Sequence, residues 1–217
     1  MKQQINKLID HTNLKSDATK ENIKQLCKEA VTWNFQAVCL NPSYVKFAAV
    51  ELLNTEIKIC TVVGFPLGAV PSETKVFEAR NAVEHGAHEI DMVINIGALK
   101  EGDYTYVLKE LREVINASKP APVKVIIETY LLTEAEKRDA CKLVMDAGAS
   151  FVKTSTGFAG GGATAEDVAL LKSIVGEKVK IKASGGIKNK DKLMEMVRSG
   201  ADRIGTSSGV QIMESIK

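Results

Sequence analysis

Four short segments of the chain repeat one frame: "NFQAVC", "GAHEID", "GASFVK" and "GADRIG". Each opens on a helix-stopping residue, Asn34, Gly86, Gly148 or Gly200. Glycine and, less readily, asparagine accept the left-handed backbone that ends a helix. Each segment then runs into a short apolar strand. The starts recur every 50 to 60 residues or so, about two strand–helix units. A chain with this period alternates strand and helix throughout, which calls for a parallel sheet whose crossovers are helical.

The rest of the sequence fits that alternation. "SDATKENIKQLCKEAV" places Ile23, Leu26, Cys27, Ala30 and Val31 on one helical face after the N-cap candidate Ser16. "TEAEKRDACKLVMDAG" opens with a capping box from Thr133 to Glu136 and stops at Gly148. "SETKVFEARNAVEHG" and "TAEDVALLKSIVG" are built alike. Between the helices lie "LIDHT", "FQAVCL", "KICTVVGF", "EIDMVINI", "VKVIIETY", "FVKTS", "VKIKAS" and "RIGTS". Most are continuous apolar runs, the pattern of strands buried on both faces. Eight strands, each followed by a helix, predict a (β/α)₈ barrel. The 217 residues suit a single catalytic domain of that fold over 1–217.

Composition narrows the function. Lys+Arg of 29 against Asp+Glu of 27 is too balanced for a nucleic-acid surface. No apolar run reaches membrane-span length, and "MKQQINKLIDH" lacks the apolar core of a signal peptide, so the expected location is cytoplasmic. Cys27, Cys39, Cys60 and Cys141 form no CxxC pair and read as free thiols. His11, His85 and His88 form no metal-binding pattern, so no protein metal site is expected.

The repeat also sets a register. Five residues past each start stand Cys39, Asp91, Lys153 and Gly205. Alternate strands of such a barrel fill common interior layers, which puts these four near the C-terminal rim where active sites form. Lys182 would project from the seventh strand and Asp10 from the first. Two residues lower, Ala37, Glu89, Phe151 and Arg203 should point inward, with Lys180 on the seventh strand. Because isolated buried charge is costly, Glu89 should pair with Arg203, Lys180 or both.

A lysine at the end of an apolar strand usually carries its ammonium out to solvent. In a barrel mouth it can instead be a Schiff-base nucleophile, if it is neutral often enough. At the ordinary lysine pKa of about 10.4 only about one in a few thousand is neutral at pH 7. A second ammonium on the neighbouring strand, roughly 5 Å away, would lower that pKa by about two units. Lys182 is placed to do this for Lys153. Asp91 reads as a general acid–base or as a lysine counterion, and Asp10 as either of these or as a cap. Cys39 is either a small apolar filler or a ligand contact.

Glycine clusters follow the last three strands: "STGFAGGGAT", "SGGI" and "GTSSG". Their backbone N–H groups can approach an anion, and loops after strands seven and eight recurrently hold phosphate in this fold. Gly185, Gly186, Ser207 and Ser208 are the main phosphate candidates; Thr156, Gly157 and Gly205 complete the same rim. On these residues alone, a Schiff-base aldolase, a phosphate-binding isomerase and a silent sugar-phosphate binder all stay open.

The segments "IDHTNL", "VCLNP", "VVGFPLGA", "EIDMVINIGAL", "VKVIIET", "FVKTSTGFAGGGAT", "KASGGI" and "IGTSSGVQIM" together resemble the deoxyribose-phosphate aldolase family over nearly the whole chain. The resemblance implies a Schiff base on Lys153, proton transfer assisted by Lys182 and Asp91, and no cofactor. It also implies cleavage of 2-deoxy-D-ribose 5-phosphate to acetaldehyde and D-glyceraldehyde 3-phosphate in deoxyribose catabolism. The partners expected are small sugar phosphates and aldehydes, with a homodimer as one open assembly. Some family members carry a phosphate-holding lysine after "TSTG"; here that place is Phe158, leaving Lys188 as the candidate cation. Some also end in a tail with a terminal tyrosine, whereas the last tyrosine here is Tyr130.

Overall fold

The computed structural model describes residues 5–216. Its strands are β1 (Ile9–Asn13), β2 (Ala37–Leu40), β3 (Lys58–Val63), β4 (Glu89–Val93), β5 (Val123–Ile126), β6 (Phe151–Lys153), β7 (Lys180–Ser184) and β8 (Arg203–Thr206). They pair in parallel in chain order, and β8 closes on β1 through Ile9–Ile204, Asp10–Gly205 and His11–Thr206. The helices are α1 (Lys20–Trp33), α2 (Val45–Glu51), α3 (Ser72–Glu84), α4 (Ile96–Lys100), α5 (Tyr104–Ala117), α6 (Glu134–Ala147), α7 (Ala165–Val175), α8 (Lys190–Arg198) and α9 (Gly209–Glu214). This is the (β/α)₈ barrel read from the sequence. Among the described residues no helix is long and apolar enough to cross a membrane.

The four helix stops that set the register all take positive φ: Asn34 at 51°, Gly86 at 105°, Gly148 at 81° and Gly200 at 110°. Thr133 and Glu136 form the expected capping box on α6. Two helix starts differ from expectation. The cap of α1 is Thr19, paired reciprocally with Asn22, because the chain makes another turn after Ser16 before the helix begins. α3 starts after the N-cap Pro71 with no side-chain cap, because Ser72 is the first residue of the helix rather than its cap.

Side chains alternate across each strand. Ile90, Met92, Val125, Val152, Ile181 and Ile204 face the helices and join one continuous core. At about 1.5–3 kcal/mol for each fully buried aliphatic side chain, this layer dominates stability. A second, small apolar cluster of Leu14, Ala37, Cys39, Cys60 and Val62, with Phe65 against it, is separate from that core. Beside it in the interior stand Phe151 and a set of charged side chains.

Candidate active site

Seven charged side chains meet inside the barrel. Lys182 bonds Asp10 and, at 2.7 Å, Asp91. Asp91 accepts from Lys124 at 2.8 Å, and Lys124 reaches Glu89 at 2.7 Å. Glu89 meets Arg203 at 3.3 Å, and Arg203 returns to Asp10 at 2.6 Å. Three carboxylates and three cations thus alternate in a closed ring, each with two opposite partners. Lys153 is the seventh member and hangs from the ring by one bond, 2.8 Å to Asp91 Oδ2. That oxygen also receives Lys182.

The ring explains how such burial is tolerated. Lys124, Lys182, Asp10 and Asp91 are fully buried, so an unpaired charge among them would be very costly. Burial opposes ionisation of Asp91, yet the ammonium groups of Lys124, Lys153 and Lys182 hold its carboxyl well below the usual range. Burial likewise opposes ionisation of Asp10, but Lys182 and Arg203 hold it at about 2. For Lys182 burial disfavours the ammonium, and Asp10 and Asp91 more than reverse this, raising it well above an ordinary lysine.

The expected network at Glu89 is present but differs in membership. Arg203 pairs with Glu89 as expected. Lys180 does not; it is exposed at the start of β7, with its ammonium 5.8 Å from the Phe151 ring centre. Lys124, which the sequence reading did not single out, takes that place. Asp91 pairs with Lys124 in the β4–β5 register, and the alternation of "VKVI" turns Lys124 inward.

Above the cluster opens a cavity of about 480 Å³. Lys153, Thr156, Gly157 and Gly205 line it, as do Gly185, Gly186, Lys188 and Ser207 from the two loops expected to hold phosphate. Asp10, Asp91 and Lys182 are not in its wall. Cys39 is also fully buried, with its thiol grouped with Cys60 and Asp91, so it packs the interior rather than the wall. Ser208 is half-buried outside the cavity lining, and its N–H donates to Thr206 Oγ1 at 2.9 Å. His11, Asn13 and Lys15 line the cavity without having been anticipated.

Glycine lets the wall form. A Cβ on Gly162 would lie 2.4 Å from the Gly185 carbonyl oxygen, so the loops after β6 and β7 touch backbone to backbone. A Cβ on Gly205 would stand 3.2 Å from Lys182 Cε, so this glycine leaves the room that the Lys182 side chain uses. The ends of β6 and β7 are further tied by Thr154 Oγ1 donating to Ser184 O at 3.1 Å and Ser184 Oγ to Ser155 O at 2.6 Å.

Two groupings, Cys39–Cys60–Asp91 and Asp10–Cys60–Glu89, bring ligand-type atoms within 4.8 Å of one another. Their carboxylates are already engaged by lysine and arginine, and burial raises the Cys60 thiol well above its ordinary pKa. Lys124 Nζ lies 3.3 Å from Cys60 Sγ and bonds both Glu89 and Asp91.

Residues 5–214 match the model of the DeoC/LacD family aldolase. A deoxyribose-phosphate aldolase of Thermococcus gammatolerans is 56% identical over 217 residues, 98% of this chain and 96% of that protein. The deoxyribose-phosphate aldolase of Staphylococcus carnosus is 54% identical over 211 residues, 97% and 96% respectively. A tetrameric deoxyribose phosphate aldolase from Aeropyrum pernix has a TM-score of 0.94 at 34% identity, covering 100% of this chain and 92% of its own. Barrel and relatives together define a carbon–carbon lyase of the aldolase class acting on small molecules. The chain belongs to the DeoC/LacD family, alongside its deoxyribose-phosphate aldolases.

Proposed function

We propose that the chain reversibly cleaves 2-deoxy-D-ribose 5-phosphate to acetaldehyde and D-glyceraldehyde 3-phosphate through a Schiff base on Lys153, in cytoplasmic breakdown of deoxyribose. The observation that carries this reading is the ring and its appendage. With four cations facing three carboxylates, the cluster holds one excess proton. Lys153 is the cation outside the ring: without it the ring members balance and every carboxylate keeps two cations. Lys153 is also the cation of the cluster that lines the cavity.

The neutral amine of Lys153 adds to C1 of the open-chain sugar, and with uptake of one proton the adduct loses water to give an iminium. The iminium withdraws electrons from the C2–C3 bond. A water reaching Lys182 and Asp91, which lie below the wall, takes the C3 hydroxyl proton. The bond breaks, glyceraldehyde 3-phosphate leaves, and the enamine is protonated at C2 and hydrolysed to acetaldehyde. A cavity of this size lies within the usual range for small-molecule sites, about 300–1,000 Å³. Gly185 and Gly186, both at positive φ, with Lys188 and Ser207, are the groups offered to the phosphate.

The test is borohydride reduction in the presence of acetaldehyde, read by intact mass and peptide mapping. One ethyl group on the peptide containing Lys153 is expected. An adduct mainly on Lys182, or none, overturns the assignment. Cleavage of deoxyribose 5-phosphate but not fructose 1,6-bisphosphate should accompany it.

A further inference from the structure

Glu128 lies just beyond β5 with φ 54° and ψ 67°. In that left-handed region the Cβ of a non-glycine residue crowds the backbone, and such strain persists where surrounding structure demands it. The side chain is buried and forms no ion pair among the described residues. Instead Oε2 accepts the Thr156 N–H at 3.1 Å and also the Thr156 hydroxyl, while Oε1 is buried without a partner. A strained backbone and an acid buried without a cation are both unfavourable, and both converge on Thr156.

The Thr156 hydroxyl has one proton, and Glu128 takes it. The same oxygen accepts the Phe158 N–H at 3.0 Å. One lone pair remains, on a side chain that lines the cavity. Thr156 therefore meets the cavity as an acceptor and cannot switch to a donor while Glu128 holds it. In the chain it lies between Lys153, where C1 would be bound, and Gly157, which sits beside Gly185 at the phosphate end.

We infer that Glu128 is a positioning residue that locks Thr156 as an acceptor, and that the pair selects substrates bearing a hydroxyl at the carbon between the cleaved bond and the phosphate-bearing carbon. This rests on the proposed reaction, in which the C3 hydroxyl is consumed by proton transfer. The recognised group is then the C4 hydroxyl of the sugar, which becomes the C2 hydroxyl of glyceraldehyde 3-phosphate. A site built to pair with a hydroxyl rejects the analogue lacking it, because its own polar groups are left unpaired.

The test runs the reaction in the aldol direction with acetaldehyde as donor and two acceptors, D-glyceraldehyde 3-phosphate and 3-phosphooxypropanal, which lacks the hydroxyl. Wild type should favour the hydroxylated acceptor in kcat/KM by about tenfold or more. Glu128→Gln and Thr156→Val should each lower that ratio several-fold, and the double variant should lower it no further than Thr156→Val alone, since coupled residues are not additive. Thr156→Ser, which keeps the hydroxyl, should retain the preference and decides the matter if Glu128→Gln does not fold. Acetaldehyde trapping by borohydride, which offers Thr156 no hydroxyl, should persist in Glu128→Gln. A folded Glu128→Gln enzyme that loses both acceptors equally, or keeps the preference, overturns the inference while leaving Lys153 in place. No trapping in wild type overturns both.

Discussion

Replacing Asp10 with asparagine removes one carboxylate from the charged ring and leaves its shape nearly unchanged. Lys182 then keeps only Asp91, and Arg203 keeps only Glu89. The held value of about 2, against an ordinary 3.8, sets a scale for the loss. At roughly 1.4 kcal/mol per pKa unit, the ionised form of Asp10 contributes about 2 kcal/mol of stability. Two half-paired buried cations push the cost upward, toward the roughly 3–5 kcal/mol seen when a buried pair is broken. Urea unfolding at pH 7 should therefore show Asp10→Asn less stable by about 2–4 kcal/mol. The pH dependence carries a definite sign. Because folding depresses this pKa, the Asp10 contribution is complete above the unfolded value of 3.8 and lost as pH falls through about 2. The gap between variant and wild type should stay constant from pH 7 to about pH 4 and narrow below it. A gap that persists undiminished toward pH 2, or none at pH 7, would refute the account of Asp10 as an ionised ring member.

Gly205→Ala puts a Cβ 3.0 Å from Ser184 Cβ and 3.2 Å from Lys182 Cε. Turnover should fall about tenfold or more as Lys182 shifts, with a stability loss of about 1–3 kcal/mol; unchanged turnover would show that the ammonium tolerates the crowding. Ser207→Glu sets a carboxylate in the cavity wall near the phosphate candidates. Affinity for deoxyribose 5-phosphate should drop much more than affinity for unphosphorylated deoxyribose, and equal losses measured by competition would place the phosphate elsewhere.

The barrel was legible because its punctuation is local: four residues at positive φ stop four helices, and counting five onward from each reaches Cys39, Asp91, Lys153 and Gly205. That count works only on the strands bearing the repeat. Lys124 lies on β5, outside the frame, inside a run that reads as apolar, so its inward turn appears only once Asp91 is opposite it. Lys180 shows the converse limit. Its alternation is that of Lys182, but the strand begins there, and an end residue can reach water where a middle one cannot. Glu128 was invisible for another reason. Its importance lies in a backbone conformation and an unmade bond, neither of which residue identity announces.

The charged cluster has an order along the chain. Asp10, Glu89 and Asp91 come from β1 and β4, whereas Lys124, Lys153, Lys182 and Arg203 come from β5 to β8. Every anion belongs to the first half of the barrel and every cation to the second. Each half alone would bring only like charges together, and so would two copies of either half. The two halves are thus unlike electrodes of one cell: they discharge only against each other, and a ribosome that has made the first has built a surface waiting for the second.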